Sequence, residues 1–141
     1  MASAEERMAL ARRGIEAYAA GDVEGALTLF SPEVEVYAPP GEQITTGTYH
    51  GLEGFLQWSG EWNDAWESFD LELVTVEAVG ERHAVAAVLG RGVGRGSGLE
   101  VEALSGYVLE LDEDSKCVYF ALYQDHERAL AAARAREGEP A

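Results

Sequence analysis

Two rhythms divide the chain. Over residues 8–18 the apolar positions Met8, Ala11, Ile15 and Tyr18 recur every three or four residues with charges between them, which predicts an amphipathic helix. Gly21 closes that helix, and Asp22 is placed to cap a short second one carrying Ala26, Leu27 and Phe30 inward. Ser31-Pro32 breaks it, because the residue before a proline is pushed out of the helical region. EVEVY (33–37) alternates and predicts a strand; APPGEQ (38–43) reads as a loop, and Thr45–Tyr49 as another short strand. A third helix is predicted from Gly51, its stripe running through Phe55, Trp58, Trp62, Trp66 and Phe69.

From Asp70 the period falls to two. LELVTVEAV (71–79), AVAAVLGRGVG (84–94), GLEVEALSGYVLEL (98–111) and CVYFALYQ (117–124) read as four strands, with turns at GERH (80–83) and Asp112–Lys116. Asp125 is placed to cap a last helix, HERALAAARAR (126–136), and the tail GEPA (138–141) is expected to be loose. No repeat or long linker interrupts the pattern, so residues 1–141 are expected to form one domain with its core at about 8–135. Helices first and a meander of strands afterwards is an α+β order. The expected architecture is a curved antiparallel sheet covered by the N-terminal helices, a cone whose mouth is a natural ligand cavity.

The stretch GRGVGRGSG (90–98) invites a nucleotide-binding reading and does not sustain it. No register supplies GxGxxG, no lysine completes a phosphate loop, and a strand follows where a helix is required. Extended, Gly90, Gly92 and Gly94 leave one face bare while Arg91, Val93 and Arg95 occupy the other. Bare backbone marks a sharp bend, a bulge or the close approach of another element, and Gly96-Ser97-Gly98 suits a hairpin turn, so the stretch is expected to bend and to join two long strands.

Composition narrows the partners. The formal net charge is −16, with nine arginines and one lysine, Lys116, against 26 acidic residues. Such a field repels phosphate backbones and anionic membranes, so neither nucleic acid nor membrane is an expected partner. The start, MASAEERMALARRG, lacks the apolar middle of a signal peptide, and Cys117 is the only cysteine; the expected location is the cytoplasm. No histidine has a second histidine or a cysteine at metal-ligand spacing. Neither metal nor cofactor is expected.

The segments GIEAYAAGDVEGALTLFSPEVEVY, GTYHGLEGF, GRGSGLEVE and KCVYFALYQDHERALAAA resemble the SnoaL-like family of the nuclear transport factor 2-like superfamily, which includes polyketide cyclases and ketosteroid isomerases. The resemblance covers roughly residues 8–135 and implies that superfamily's α+β barrel. It also implies a homodimer formed through the sheet and a hydrophobic small molecule bound in the cone. The alternative it implies is a cofactor-independent cyclase, dehydratase or isomerase acting on a polyketide- or terpenoid-like ring. Carried over singly, the family's catalytic positions are changed. Gly14 stands where isomerases have a tyrosine, Ala38 before Pro39 where they have the base, and Tyr107 where isomerases and cyclases have an aspartate. Arg91-Gly92-Val93 offers the arginine of an epoxide-hydrolase-type Arg-x-Asp without its carboxylate.

Tyr107 is the leading site residue. It shares a face with Val101, Ala103, Ser105 and Leu109, and a phenol there can donate to a developing oxyanion. His50, at the strand-to-helix junction, is the second catalytic candidate. Tyr18, Tyr37, Phe55, Trp58, Trp62, Arg91 and Tyr123 complete the expected pocket with Tyr107. His83, at a turn, and His126, at a helix start, are expected to be exposed.

Overall fold

A computed structural model describes residues 2–40 and 46–138. Three helices and a strand pair come first: α1 (Ala4–Ala19), α2 (Val23–Leu27), β1 (Phe30–Ala38), β2 (Gly47–His50) and α3 (Gly51–Asp64). Four long strands and a helix follow: β3 (Trp66–Val79), β4 (His83–Gly94), β5 (Glu100–Leu111), β6 (Cys117–Tyr123) and α4 (His126–Arg136). The strands form one curved, open sheet in the order β2-β1-β6-β5-β4-β3.

The helix ends follow local chemistry. Ser3 caps α1 by accepting from Glu6 N at 3.1 Å while the Glu6 side chain reaches back to Ser3 N, a reciprocal capping box. Gly21 takes φ +85 just beyond the α1 C-cap. Asp22 and Asp125 cap α2 and α4 through Gly25 N and Arg128 N. Interruptions in the pairing register at Trp66/Ser68 and Leu73/Thr75 of β3, and at Phe30/Glu35 of β1, add local twist.

Strict alternation sorts side chains to two faces. The concave face buries Val34, Val36, Ala84, Ala86, Val88, Tyr107, Leu109, Phe120 and Leu122 against Ala11, Ile15, Phe55 and Trp58 of α1 and α3. The convex face buries Val79, Val85, Val108, Tyr119 and Ala121 under Ala129, Leu130 and Ala133 of α4.

Four departures from the sequence expectations have physical causes. The meander is antiparallel, but β1 joins it parallel to β6, since β1 reaches its partner across the whole intervening chain rather than through a hairpin. Phe30 opens β1 instead of closing α2, and Ser31-Pro32 lies inside the strand; a proline is tolerated there because it falls within the pairing irregularity between Phe30 and Glu35. Trp66 and Phe69 belong to β3, not to α3. The register irregularity at Trp66/Ser68 gives these strand residues a spacing of three, which imitates a helical stripe. His83 is fully buried rather than exposed, and the hairpin turn comprises only 80–82. The His126 side chain is 26% exposed, with Nε2 3.1 Å from Glu77 Oε1. Part of the loop 38–43, the expected strand start at Thr45 and the tail residues 139–141 lie outside the described residues.

Of the alternatives that the glycine spacing leaves open, the structure shows close approach. Cross-strand pairing sets Phe69 opposite Gly92 and Leu71 opposite Gly90. The Phe69 and Trp66 rings lie over the bare backbone: a Cβ at Gly92 would come within 2.7 Å of both, and one at Gly90 within 2.9 Å of Phe69 Cζ. Arg91 projects from the other face.

Candidate functional site

Between α1, α2, α3 and the concave sheet lies a small chamber with about 30 Å³ of free volume, room for a single water. Five of the residues expected at a pocket meet there: Tyr18, Phe55, Trp58, Trp62 and Tyr107. Leu29, Phe30, Leu71, Leu109 and Phe120 complete most of the wall. The rings interlock, Phe55 lying 4.8 Å from Phe30 and 5.6 Å from Trp58, and Tyr107 edge-on to Phe120 at 5.4 Å. Gly14 also lines the chamber, and a Cβ there would approach Leu29 Cδ2 to 2.5 Å. A larger side chain at that position requires the end of Leu29 to shift.

Polar groups in this wall are few. Tyr18 Oη is 2.5 Å from Ser59 Oγ, which also accepts from Asn63 Nδ2 at 3.4 Å. Ser59 and Asn63 sit one turn apart on α3, beside the Trp58 and Trp62 positions; this i, i+4 polar pair flanking an aromatic stripe was the signal available in the sequence. Tyr107 is only 8% exposed, and burial, with Tyr18 adding to it, pushes its phenol well above the ordinary range. Among the described residues no hydrogen-bond partner of the Tyr107 hydroxyl is present. A phenol so placed is a donor, not a base. The described lining residues include no carboxylate, imidazole or amine.

Four expected residues stand elsewhere. With Val34 and Val36 facing the core, Tyr37 turns to the convex side; with Phe120 and Leu122 inward, Tyr123 does the same. Arg91 is 58% exposed on that side and paired with Glu102 at 2.8 Å. His50 is the exposed N-cap of α3 and makes no capping hydrogen bond. It borders an open polar groove with Glu53, Gln57 and Glu61. There the Tyr49 hydroxyl donates to Glu61 at 2.6 Å, and burial together with that carboxylate pushes the Tyr49 phenol up to about 12. Neither His50 nor Arg91 reaches the chamber, so they cannot act with Tyr107 on one atom.

Among the described residues, no group of three or more histidine, cysteine, aspartate or glutamate side chains is arranged to hold a metal ion, and no helix is long and apolar enough to cross a membrane.

A sequence profile of the SnoaL-like domain matches residues 11–120. No curated protein sequence matches the chain significantly. Solved structures share the fold. An NTF2-like protein of unknown function from Burkholderia pseudomallei superposes with a TM-score of 0.74 at 19% identity, over 89% of this chain and 95% of that one. TerC, co-crystallised with polyporic acid, gives 0.73 at 15% identity, over 87% and 94%. SalBIII, an epoxide hydrolase/cyclase-like enzyme with a role in pyran ring formation in the polyether salinomycin, gives 0.70 at 12% identity, over 87% and 93%.

Proposed function

The chain belongs to the SnoaL-like domain family, and from that premise we propose that it binds a small, flat, largely apolar ring compound carrying one hydrogen-bond acceptor. The observation that carries the reading is the aromatic chamber with the Tyr107 phenol on its wall, a residue only 8% exposed that has no hydrogen-bond partner among the described residues. An acceptor oxygen on a ligand gives that hydroxyl a hydrogen bond worth about 0.5–1.5 kcal/mol. Tyr18, already tied to Ser59, stands as a second hydroxyl on the same wall. TerC with its polyporic acid and SalBIII with its pyran ring favour an oxygen-bearing ring over a plain hydrocarbon.

The free volume is about 30 Å³, whereas a dry cavity of roughly 150 Å³ is needed for benzene. Binding therefore requires the wall to move. Trp62, half-buried and packed against the Trp58, Trp66 and Phe69 rings, is a partly exposed ring of this wall and the one expected to shift. Catalysis by proton abstraction has no base in this wall, so the reading is a binding one. A homodimer through the convex sheet is part of the same proposal: Val74 and Leu104 are 48% and 47% exposed there. The cytoplasm is the proposed location, in keeping with a lone buried thiol at Cys117.

The test is a thermal-shift screen with quinone, polyketide and steroid ring compounds, followed by tryptophan-fluorescence titration of the hits. At least one compound is expected to raise Tm and to bind Tyr107→Phe about tenfold more weakly, the worth of one hydrogen bond. A panel with no shift, or hits indifferent to Tyr107→Phe and Trp58→Leu, overturns the proposal. Sedimentation velocity that finds only monomer at high micromolar concentration removes the dimer.

A further inference from the structure

The turn that closes the β3–β4 hairpin holds a carboxylate. Glu137, the C-cap residue of α4, accepts from Glu81 N at 3.1 Å and Arg82 N at 2.9 Å, and its other contact is His83 Nδ1. Two successive backbone N–H groups and a ring nitrogen facing one oxyanion make an anion-binding concavity. Gly80 completes the cradle: it has φ +59, and a Cβ there would overlap the Glu137 carboxyl. The cradle is braced from behind. Arg7 of α1, 4% exposed, donates to the carbonyls of Val79, Gly80 and His83 at 3.2, 2.9 and 2.7 Å. His83 is fully buried, and its Nε2 lies 3.0 Å from Glu110 Oε1.

We propose that the 80–83 turn is a carboxylate-binding nest filled by the chain's own Glu137, a latch that holds α4 over the convex apolar face and lets it go when that carboxylate loses its charge. The apolar grip of α4 is small, resting on Ala129, Leu130 and Ala133, so a charged clasp at its C-terminal end has leverage. When the helix leaves, Val85, Val108 and Ala121 lose their cover.

The charged and titratable groups around the clasp are few. Arg7 comes from α1, Glu81 and Arg82 from the turn itself, and Glu110 from β5. Arg136 of α4 donates to Glu110 at 2.9 Å and lies 3.6 Å over the Tyr119 ring of β6. Burial works against charge on Glu137, but the hydrogen bonds from His83, Glu81 and Arg82 prevail and hold its carboxyl at about 2, below the ordinary 4.5. A depressed folded value means that the latch is at full strength above about 4.5 and weakens as the pH falls toward 2.

Hydrogen exchange read by mass spectrometry over α4 and β5 tests this. In the wild type, protection of 130–136 relative to intrinsic rates is expected to fall between about pH 5 and pH 2.5, ahead of β5. In Glu137→Ala at neutral pH those amides are expected to exchange roughly 10–100-fold faster, the loss of charge-assisted hydrogen bonds to a locally opening segment. Sodium formate, a carboxylate small enough for the vacated nest, is expected to restore part of that protection where sodium chloride of equal ionic strength does not. Leu130→Ala is expected to loosen α4 without any response to formate. Glu137→Gln keeps the shape, removes the charge, and is expected to flatten the acid dependence. Wild-type α4 equally protected at both pH values, formate no better than chloride, or Glu137→Gln as tightly held as wild type would each overturn the latch.

Discussion

On the concave face, nine aromatic rings form a connected cluster with neighbouring centroids 4.8–6.4 Å apart. On the convex face, one short helix contributes a leucine and two alanines, and its far end is fastened by Glu137, His83, Glu110 and Arg136. Aromatic packing gains from area and is indifferent to pH. Ionic clasping gains little area and depends on charge. The chemistry-bearing side chains of this protein therefore gather where they hold the fold together. The face that encloses space holds two phenols and almost nothing else that titrates. A binding chamber and a structural charge cluster have been kept on opposite sides of one sheet.

Substitutions can break or sharpen that contrast. Phe55→Ala opens the centre of the ring cluster and is expected to cost about 3–5 kcal/mol, as large-to-small core changes do, read by urea unfolding. Gly92→Ala puts a methyl against the Phe69 and Trp66 rings and is expected to cost about 1–3 kcal/mol by overpacking; an undiminished urea midpoint would mean that the rings lie elsewhere. Tyr107→Phe keeps the ring and removes one hydroxyl, and is expected to move stability by no more than about 1 kcal/mol while weakening ligand binding. Arg91→Ala deletes an exposed pair with Glu102 and is expected to move stability by no more than about 0.5 kcal/mol. A larger loss would give Arg91 a role that its solvent-facing position does not.

Several parts of this architecture were legible before any coordinates. Alternation in CVYFALY sorts Phe120 and Leu122 from Tyr119 and Tyr123, and the caps at Asp22 and Asp125 are local chemistry. The glycine spacing from Gly90 to Gly94 leaves a bend, a bulge and close approach open, and only the fold shows the Phe69 and Trp66 rings lying over that backbone. Which face met the helices was not legible, because alternation divides side chains into two sets without saying which set is inside. Tyr37 and Tyr123, expected at the chamber, lie on the convex side. His83 was misplaced for a related reason. Beside a glycine-led turn it looks exposed, and only the return of α4 and the packing of α1 bury it.

The order of amino acids alone determined the α+β class, the run of strands after Asp70 and the SnoaL-like membership. Periodicity, caps and motif spacing are properties of neighbours along the chain, and neighbours are what a sequence displays. Tertiary structure decided that the chamber is nearly full, that Tyr107 lines it, and that Glu137 meets a turn 56 residues upstream of it. Those outcomes depend on how tightly distant side chains fill shared space and on which charges are thrown together when water leaves, and no local pattern carries that information.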